Sequence, residues 1–209
     1  MQLHVHGAPA ENFLSSWNVE KPNGVKVCVH GFLDITGFYK TLPWKIKSWH
    51  CGGRGNDSLI GFEICEPKNY QDKEYFRTVR DYAIAVCTYL CLRFNLSADS
   101  ITTHCEGYQR YGSSYASNHS DIHHWWKMYQ NYTISDFRRD VAKNIELRKN
   151  GMEFKNGKEA LDFLEKEGRI NNRNYWDKVL ETTRNVEFLF IKWAEDYSKS
   201  LALYPENLE

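Results

Sequence analysis

The sequence predicts an α/β protein, a β-sheet with helices packed on it, followed by a small helical module. Three observations predict it. Short apolar or β-branched runs are separated by a long segment of helical periodicity within the first 148 residues. The strand-like runs all lie in the first half of the chain. After the polar, glycine-punctuated stretch "RKNGMEFKNGK" (148 to 158), everything that remains reads as helix. The boundaries expected are therefore a first domain at 1–148, then a linker and helical module at 149–209.

The elements follow in order. "VKVCVHGFLDI" (25 to 35) is β-branched and nearly alternating, and "SLIGFEICE" (58 to 66) is a short apolar run after a Gly/Asn/Asp loop. "DSITTHCE" (99 to 106) is similar, and all three read as strands, with His104 ending the third. Between the last two, Tyr75, Phe76, Val79, Tyr82, Ala83, Val86, Leu90 and Phe94 recur at spacings of three and four, which describes an amphipathic helix over 72–94. Ser135 is a suitable N-cap for a helix running toward Leu147. "KEALDFLEKEG" gives a short helix stopped by Gly168, and 174–197 reads as one long helix. Its apolar stripe comprises Trp176, Val179, Leu180, Thr183, Val186, Leu189, Phe190, Trp193 and Tyr197. A two-helix hairpin of this size cannot bury such a stripe alone, so it is expected to pack on the first domain, on a copy of itself, or on a target.

Composition narrows the function. With 42% hydrophobic and 15% aromatic residues in 209, the chain can bury a core, which excludes disorder. Lys+Arg and Asp+Glu balance at 27 each, so there is no electrostatic footprint for nucleic acid or an anionic membrane. No apolar run reaches the length of a membrane span, and "MQLHVHGAPAENF" lacks the basic start and apolar middle of a signal peptide. Synthesis in the cytoplasm without membrane insertion is the expectation. The six cysteines form no CxxC pair and are expected reduced.

The chemistry concentrates in the histidines. "ITTHCEGYQRYGSSYASNHSDIHHWW" (101 to 126) carries His104, His119, His123 and His124, half of the chain's eight, with Asp121 among them; His4, His6, His30 and His50 lie upstream. A catalytic zinc site needs three ligands drawn from His, Cys, Asp and Glu, with one position open. His123 and His124, followed by two tryptophans, are expected to pack or line a cleft rather than bind metal, since their spacing from Asp121 would crowd a tetrahedral site.

"WHCGG" (49 to 53), "IGFEICEP" (60 to 67), "THCEGY" (103 to 108) and "ASNHSD" (116 to 121), in this order, resemble the zinc-dependent N-acetylmuramoyl-L-alanine amidases. This family is shared by phage lysins, bacterial autolysins and peptidoglycan recognition proteins. "HVHGAP" with "VCVHGFLDITGFYKTLPW" is similar to its clostridial and phage branch, and the resemblance covers roughly residues 2 to 145.

The resemblance implies a mixed central sheet flanked by helices and one zinc ion held by His4, His104 and Asp121. His6 is the rival to His4. It implies hydrolysis of the amide between N-acetylmuramic acid and L-alanine of peptidoglycan, with Glu63 moving the proton from water to the leaving amine. His119 stands where many relatives have a lysine that donates to the oxyanion. Trp49 and His50 fall where the family builds the wall of the substrate groove, and His30 on the central strand is a further candidate substrate contact. Glu66, three residues beyond Glu63, is expected on the opposite face. The alternative function is a non-catalytic peptidoglycan-binding module on the same fold. The C-terminal hairpin resembles short helical modules behind such amidase domains, implying wall targeting or a homo-oligomer. An enzyme of this kind reaches the wall after release through a holin, lysis or non-classical export.

Overall fold

The structure, a computed structural model, describes residues 9–14, 17, 27–183 and 186–203, together with the backbone of 2–6. Five strands form one mixed sheet in the order β3-β2-β4-β1-β5. These are β1 (Gln2–His6), β2 (Gly31–Asp34), β3 (Gly37–Lys40), β4 (Gly61–Cys65) and β5 (Thr102–Thr103). β4 lies at the centre between parallel partners β2 and β1, while β3 closes one edge antiparallel to β2. All five residues of β4 are buried, which explains why "GFEIC" reads as continuous rather than alternating: both faces of the strand are covered. A glutamate in the middle of such a strand is costly to bury and so stands out in an apolar setting.

Helix α2 (Lys73–Arg93) packs on β2 and β3. Asp72 caps it, accepting from the backbone N–H groups of Glu74 and Tyr75. Phe76, Val79, Ala83, Val86 and Leu90 are buried as the spacing predicts, whereas Tyr82 and Phe94 are exposed. A short helix α1 (Glu11–Leu14) follows β1, and Asp34 at the end of β2 accepts from the Ala10 N–H at 3.0 Å. A further aromatic cluster joins α2 to the short α4 (His123–Trp126), with Phe76 stacked on Tyr129 at 4.2 Å and Trp125 and Trp126 fully buried.

Three strand expectations shorten. In 25–35 only Gly31–Asp34 is regular strand; Cys28 forms an isolated antiparallel bridge with Trp49, and 25 and 26 lie outside the described residues. "SLIGFEICE" contributes β4 alone. His104 does not end a strand but opens helix α3 (His104–Tyr111), because Thr103 and Glu106 form a reciprocal capping box. Helix α5 runs over Ile134–Asn150. Its start is fixed at Thr133 rather than Ser135, Thr133 exchanging hydrogen bonds with Asp136 in both directions.

The chain divides into two compact units, one of which spans Lys143–Ala202. The division falls inside α5, upstream of the polar connector where the composition changes. The second unit contains α6 (Gly157–Lys166), α7 (Arg173–Thr182) and α8 (Val186–Ser200). The single long helix expected over 174–197 is thus two. α7 stops at Thr182-Thr183, a β-branched pair in which the Thr182 hydroxyl bonds back to the Lys178 carbonyl and Thr183 turns extended.

That break changes the fate of the apolar stripe. Phe190, Ala194, Ala160, Leu161, Leu164 and Ile170 form a buried cluster, flanked by Trp176, Val179, Leu180, Val186 and Tyr197. Three helices thus pack six of the nine stripe residues against the unit's own cluster, Phe190 buried and the other five part-buried. Phe188, Leu189 and Trp193 remain exposed. All six cysteines are free thiols. No helix among the described residues is long and apolar enough to cross a membrane.

Candidate metal centre

The centre is built where β4, the turn after β5 and the loop after α3 converge. The capping box at Thr103 and Glu106 fixes the first turn of α3 and thereby His104, and Arg138 from α5 braces it by donating to Glu106 and to the Ile101 carbonyl. The loop after α3 returns against the segment 51–55. Ser117 N–H donates to the Cys51 carbonyl, Arg54 N–H to Ser114, and Gly55 N–H to Tyr115, at 2.8–2.9 Å. Gly53 permits this approach, since a Cβ there would sit 2.6 Å from the Tyr115 carbonyl. So the "CGG" of "WHCGG" is a docking strip for the loop that delivers Asp121.

His104 and Asp121 are buried and joined twice. The His104 backbone N–H donates to Asp121 Oδ2 at 2.5 Å, and His104 Nδ1 lies 2.7 Å from Asp121 Oδ1. His104 Nε2–H donates to the carbonyl of His50 at 3.0 Å. With Nε2 engaged by an oxygen that can only accept, the Nδ1 lone pair faces another acceptor. A cation shared between Nδ1 and the carboxylate would complete the arrangement, and a carbonyl fixing the tautomer of the opposite nitrogen is how metal-binding histidines are usually oriented. His119 comes close as well, its ring centroid 5.1 Å from that of His104. Ligand atoms of His104, His119 and Asp121 all lie within 4.8 Å of one another, a group that could hold a metal ion. His104 and Asp121 are 1% and 5% exposed, whereas His119 is open to solvent.

The side chains of His4 and His6 lie outside the described residues, but the backbone of β1 does not. Its register sets His4 beside Glu63 and His6 beside Cys65.

Glu63 is buried, and its carboxyl is held well above the ordinary carboxylate range, first by burial and then by the negative charge of Asp121. It opens onto a cleft of about 750 Å³ whose lining also includes Asp121, His119, His50, Trp49 and Glu66. Trp49 is exposed on the wall, with Lys47 Nζ 4.5 Å over its ring. His124 lines the cleft too, while His123 Nε2 pairs with the Thr103 hydroxyl at 3.0 Å. Neither belongs to the metal group among the described residues.

Two placements differ from the sequence reading. His30 does not line the cleft. It is 1% exposed, takes the Gly61 N–H on Nδ1 at 3.2 Å, donates from Nε2 to the Ile46 carbonyl at 3.0 Å and stacks on Trp44, so it is a satisfied core histidine. Glu66 lies on the same cleft as Glu63, not the opposite face. β4 ends at Cys65, and the alternation that would have turned Glu66 away ends with it.

His50 is buried and its pKa falls from the ordinary 6.5 to about 3, mainly through burial, with smaller contributions from the charges of His104 and His30. The folded chain thus keeps His50 neutral across a range where the unfolded chain protonates it. Between pH 6.5 and about 3 the unfolded state binds more protons, so stability is full above 6.5 and falls as the pH is lowered, by up to about 1.4 kcal/mol per pH unit from this group. Denaturant unfolding in the presence of a chelator, at pH 7.5, 5.5 and 4.5, should show that decline, and His50→Asn should make it shallower. An unchanged slope in the variant would remove His50 as the cause.

The model of the N-acetylmuramoyl-L-alanine amidase family matches residues 2–131, more than half of the chain. Among solved structures, the hydrolase AmiA of Staphylococcus aureus in complex with its ligand is similar at 18% identity and a TM-score of 0.60, over 71% of this chain and 73% of that one. PlyL is similar at 23% identity and a TM-score of 0.51, over 68% and 81%. The catalytic domain of PlyG in solution gives 23% identity and 0.51, over 69% and 81%. These likenesses show the fold. No curated protein matches in sequence.

Proposed function

We infer the working of this centre from one premise: the chain belongs to the N-acetylmuramoyl-L-alanine amidase family, and it is a hydrolase that cleaves an amide of peptidoglycan. The family is generally zinc-dependent. The observation that carries the reading is the meeting, in one cleft, of a buried His104–Asp121 pair with a buried carboxyl of raised pKa, Glu63.

We assign one zinc ion to His4, His104 and Asp121. Two neutral imidazoles and one carboxylate would leave it net positive charge, and an ion so held polarises a carbonyl and makes water more acidic. The β1 register supports His4 over His6. The neighbour of His4 is Glu63, which lines the cleft, whereas the neighbour of His6 is Cys65, which belongs to an apolar cluster with Ala10, Val29 and Phe32.

Glu63 takes the proton of the attacking water and delivers it to the nitrogen of L-alanine as the amide breaks. Its place on the cleft beside Asp121 sets the carboxyl where it can take that proton and return it. His119 donates to the oxygen of the tetrahedral adduct. Its exposure supports a group that faces substrate rather than a buried ligand. Trp49 and His50 form the wall along which the substrate lies. The exposed Phe188, Leu189 and Trp193 of α8 support wall contact or self-association by the second unit.

His119→Ala separates donor from ligand. Turnover, read as newly released L-alanine amino termini from cell walls, should drop by about 100-fold or more with metal content unchanged. Loss of the metal would make His119 a ligand, and unchanged turnover would remove it from the reaction.

A further inference from the structure

We propose that His124 is a positioning residue: it holds the turn that presents Asp121 to the metal and ties that turn to the end of β4. The inference rests on the assignment of Asp121 as a ligand.

Asp121 has a φ of +47°, in the left-handed region that residues with a Cβ rarely occupy. Its side chain is engaged by His104 at both oxygens, so what remains to be fixed is the peptide plane that follows it. His124 fixes that plane, donating from Nδ1 to the Asp121 carbonyl at 2.7 Å. The imidazole is itself held from several sides. When doubly protonated the ring also donates from Nε2 to Glu66 Oε1, 3.1 Å away; Tyr70 packs edge-on with centroids 6.2 Å apart, and the Tyr70 hydroxyl donates to the other oxygen of Glu66.

The two ends of this chain of contacts are rigid. His124 rides on α4, whose next two residues, Trp125 and Trp126, are fully buried. Glu66 directly follows β4, three residues beyond Glu63. His124 therefore couples the position of the ligand turn to the strand carrying the catalytic carboxyl. Its side chain is 40% exposed, so it contributes little to the core, and its polar contacts are what it supplies. A ligand carboxylate held in an uncommon backbone conformation depends on such outer partners.

The test uses the full chain with cobalt(II) in place of zinc, reading the dissociation constant and the visible absorption of the bound ion. His124→Ala should weaken cobalt binding by about 10- to 100-fold and alter the spectrum. His124→Asn, whose side-chain N–H reaches the place of Nδ1, should recover most of both. Asp121→Ala should lose more affinity than either. Wild-type affinity and spectrum in His124→Ala, with Asp121→Ala still defective, would overturn this inference alone. An Asn variant no better than the Ala variant would overturn the hydrogen bond as the cause. Wild-type binding by Asp121→Ala would overturn the ligand assignment and this inference with it.

Discussion

Glu63→Gln is expected to lower turnover by about 10²- to 10⁴-fold while metal binding is retained, because the amide keeps the shape of the side chain but can neither take nor return a proton. A second effect goes the other way. Folding raises the pKa of Glu63 by burying it beside Asp121, so the fold favours the protonated form. As pH rises through the unfolded value the unfolded chain loses its proton first, and stability declines until the folded group ionises as well. A neutral amide is free of that cost. Metal-free Glu63→Gln should accordingly unfold at a higher temperature than the metal-free parent at neutral pH. An inactive variant that is also stabilised identifies a group kept for chemistry at the expense of stability. Turnover near that of the parent would remove Glu63 from the reaction.

His104→Ala is expected to abolish both metal binding and activity. In the proposed centre the imidazole would supply a ligand atom, and it links the His50 carbonyl to the Asp121 carboxylate. Its removal leaves Asp121 its bond from the His104 backbone N–H but no aromatic nitrogen to share a cation with. The loss of affinity should exceed the about 10- to 100-fold typical of an outer partner, which sets this variant apart from His124→Ala. Equilibrium dialysis against zinc measures it, and parent-like affinity would exclude His104 as a ligand.

How far the sequence reached depended on whether a feature was local. The face of α2 was legible because Phe76, Val79, Ala83, Val86 and Leu90 sit at helical spacing and all bury. Glu63 and Asp121 were legible through the motifs around them, and the structure sets both on one cleft. His30 and His50 were not separable. Each is a histidine near a strand, and only the fold shows that His30 satisfies both ring nitrogens inside the core while His50 reaches the cleft. Strand alternation puts Glu66 on the wrong face because β4 ends one residue before it, at Cys65. The break between α7 and α8 was written in Thr182 and Thr183 but outweighed by the apolar periodicity on either side. The role of His124 depends on a left-handed backbone at Asp121 and a carboxylate 58 positions upstream, neither of which a local pattern displays.

A metal ion at His104 and Asp121 that is required for amide hydrolysis can be removed by stripping the purified 209-residue chain with a chelator. Release of L-alanine amino termini from cell-wall preparations is then measured as zinc is added back. Activity should vanish on stripping and return in proportion to bound zinc, reaching its limit at one ion per chain. Full activity in the stripped protein would contradict the account.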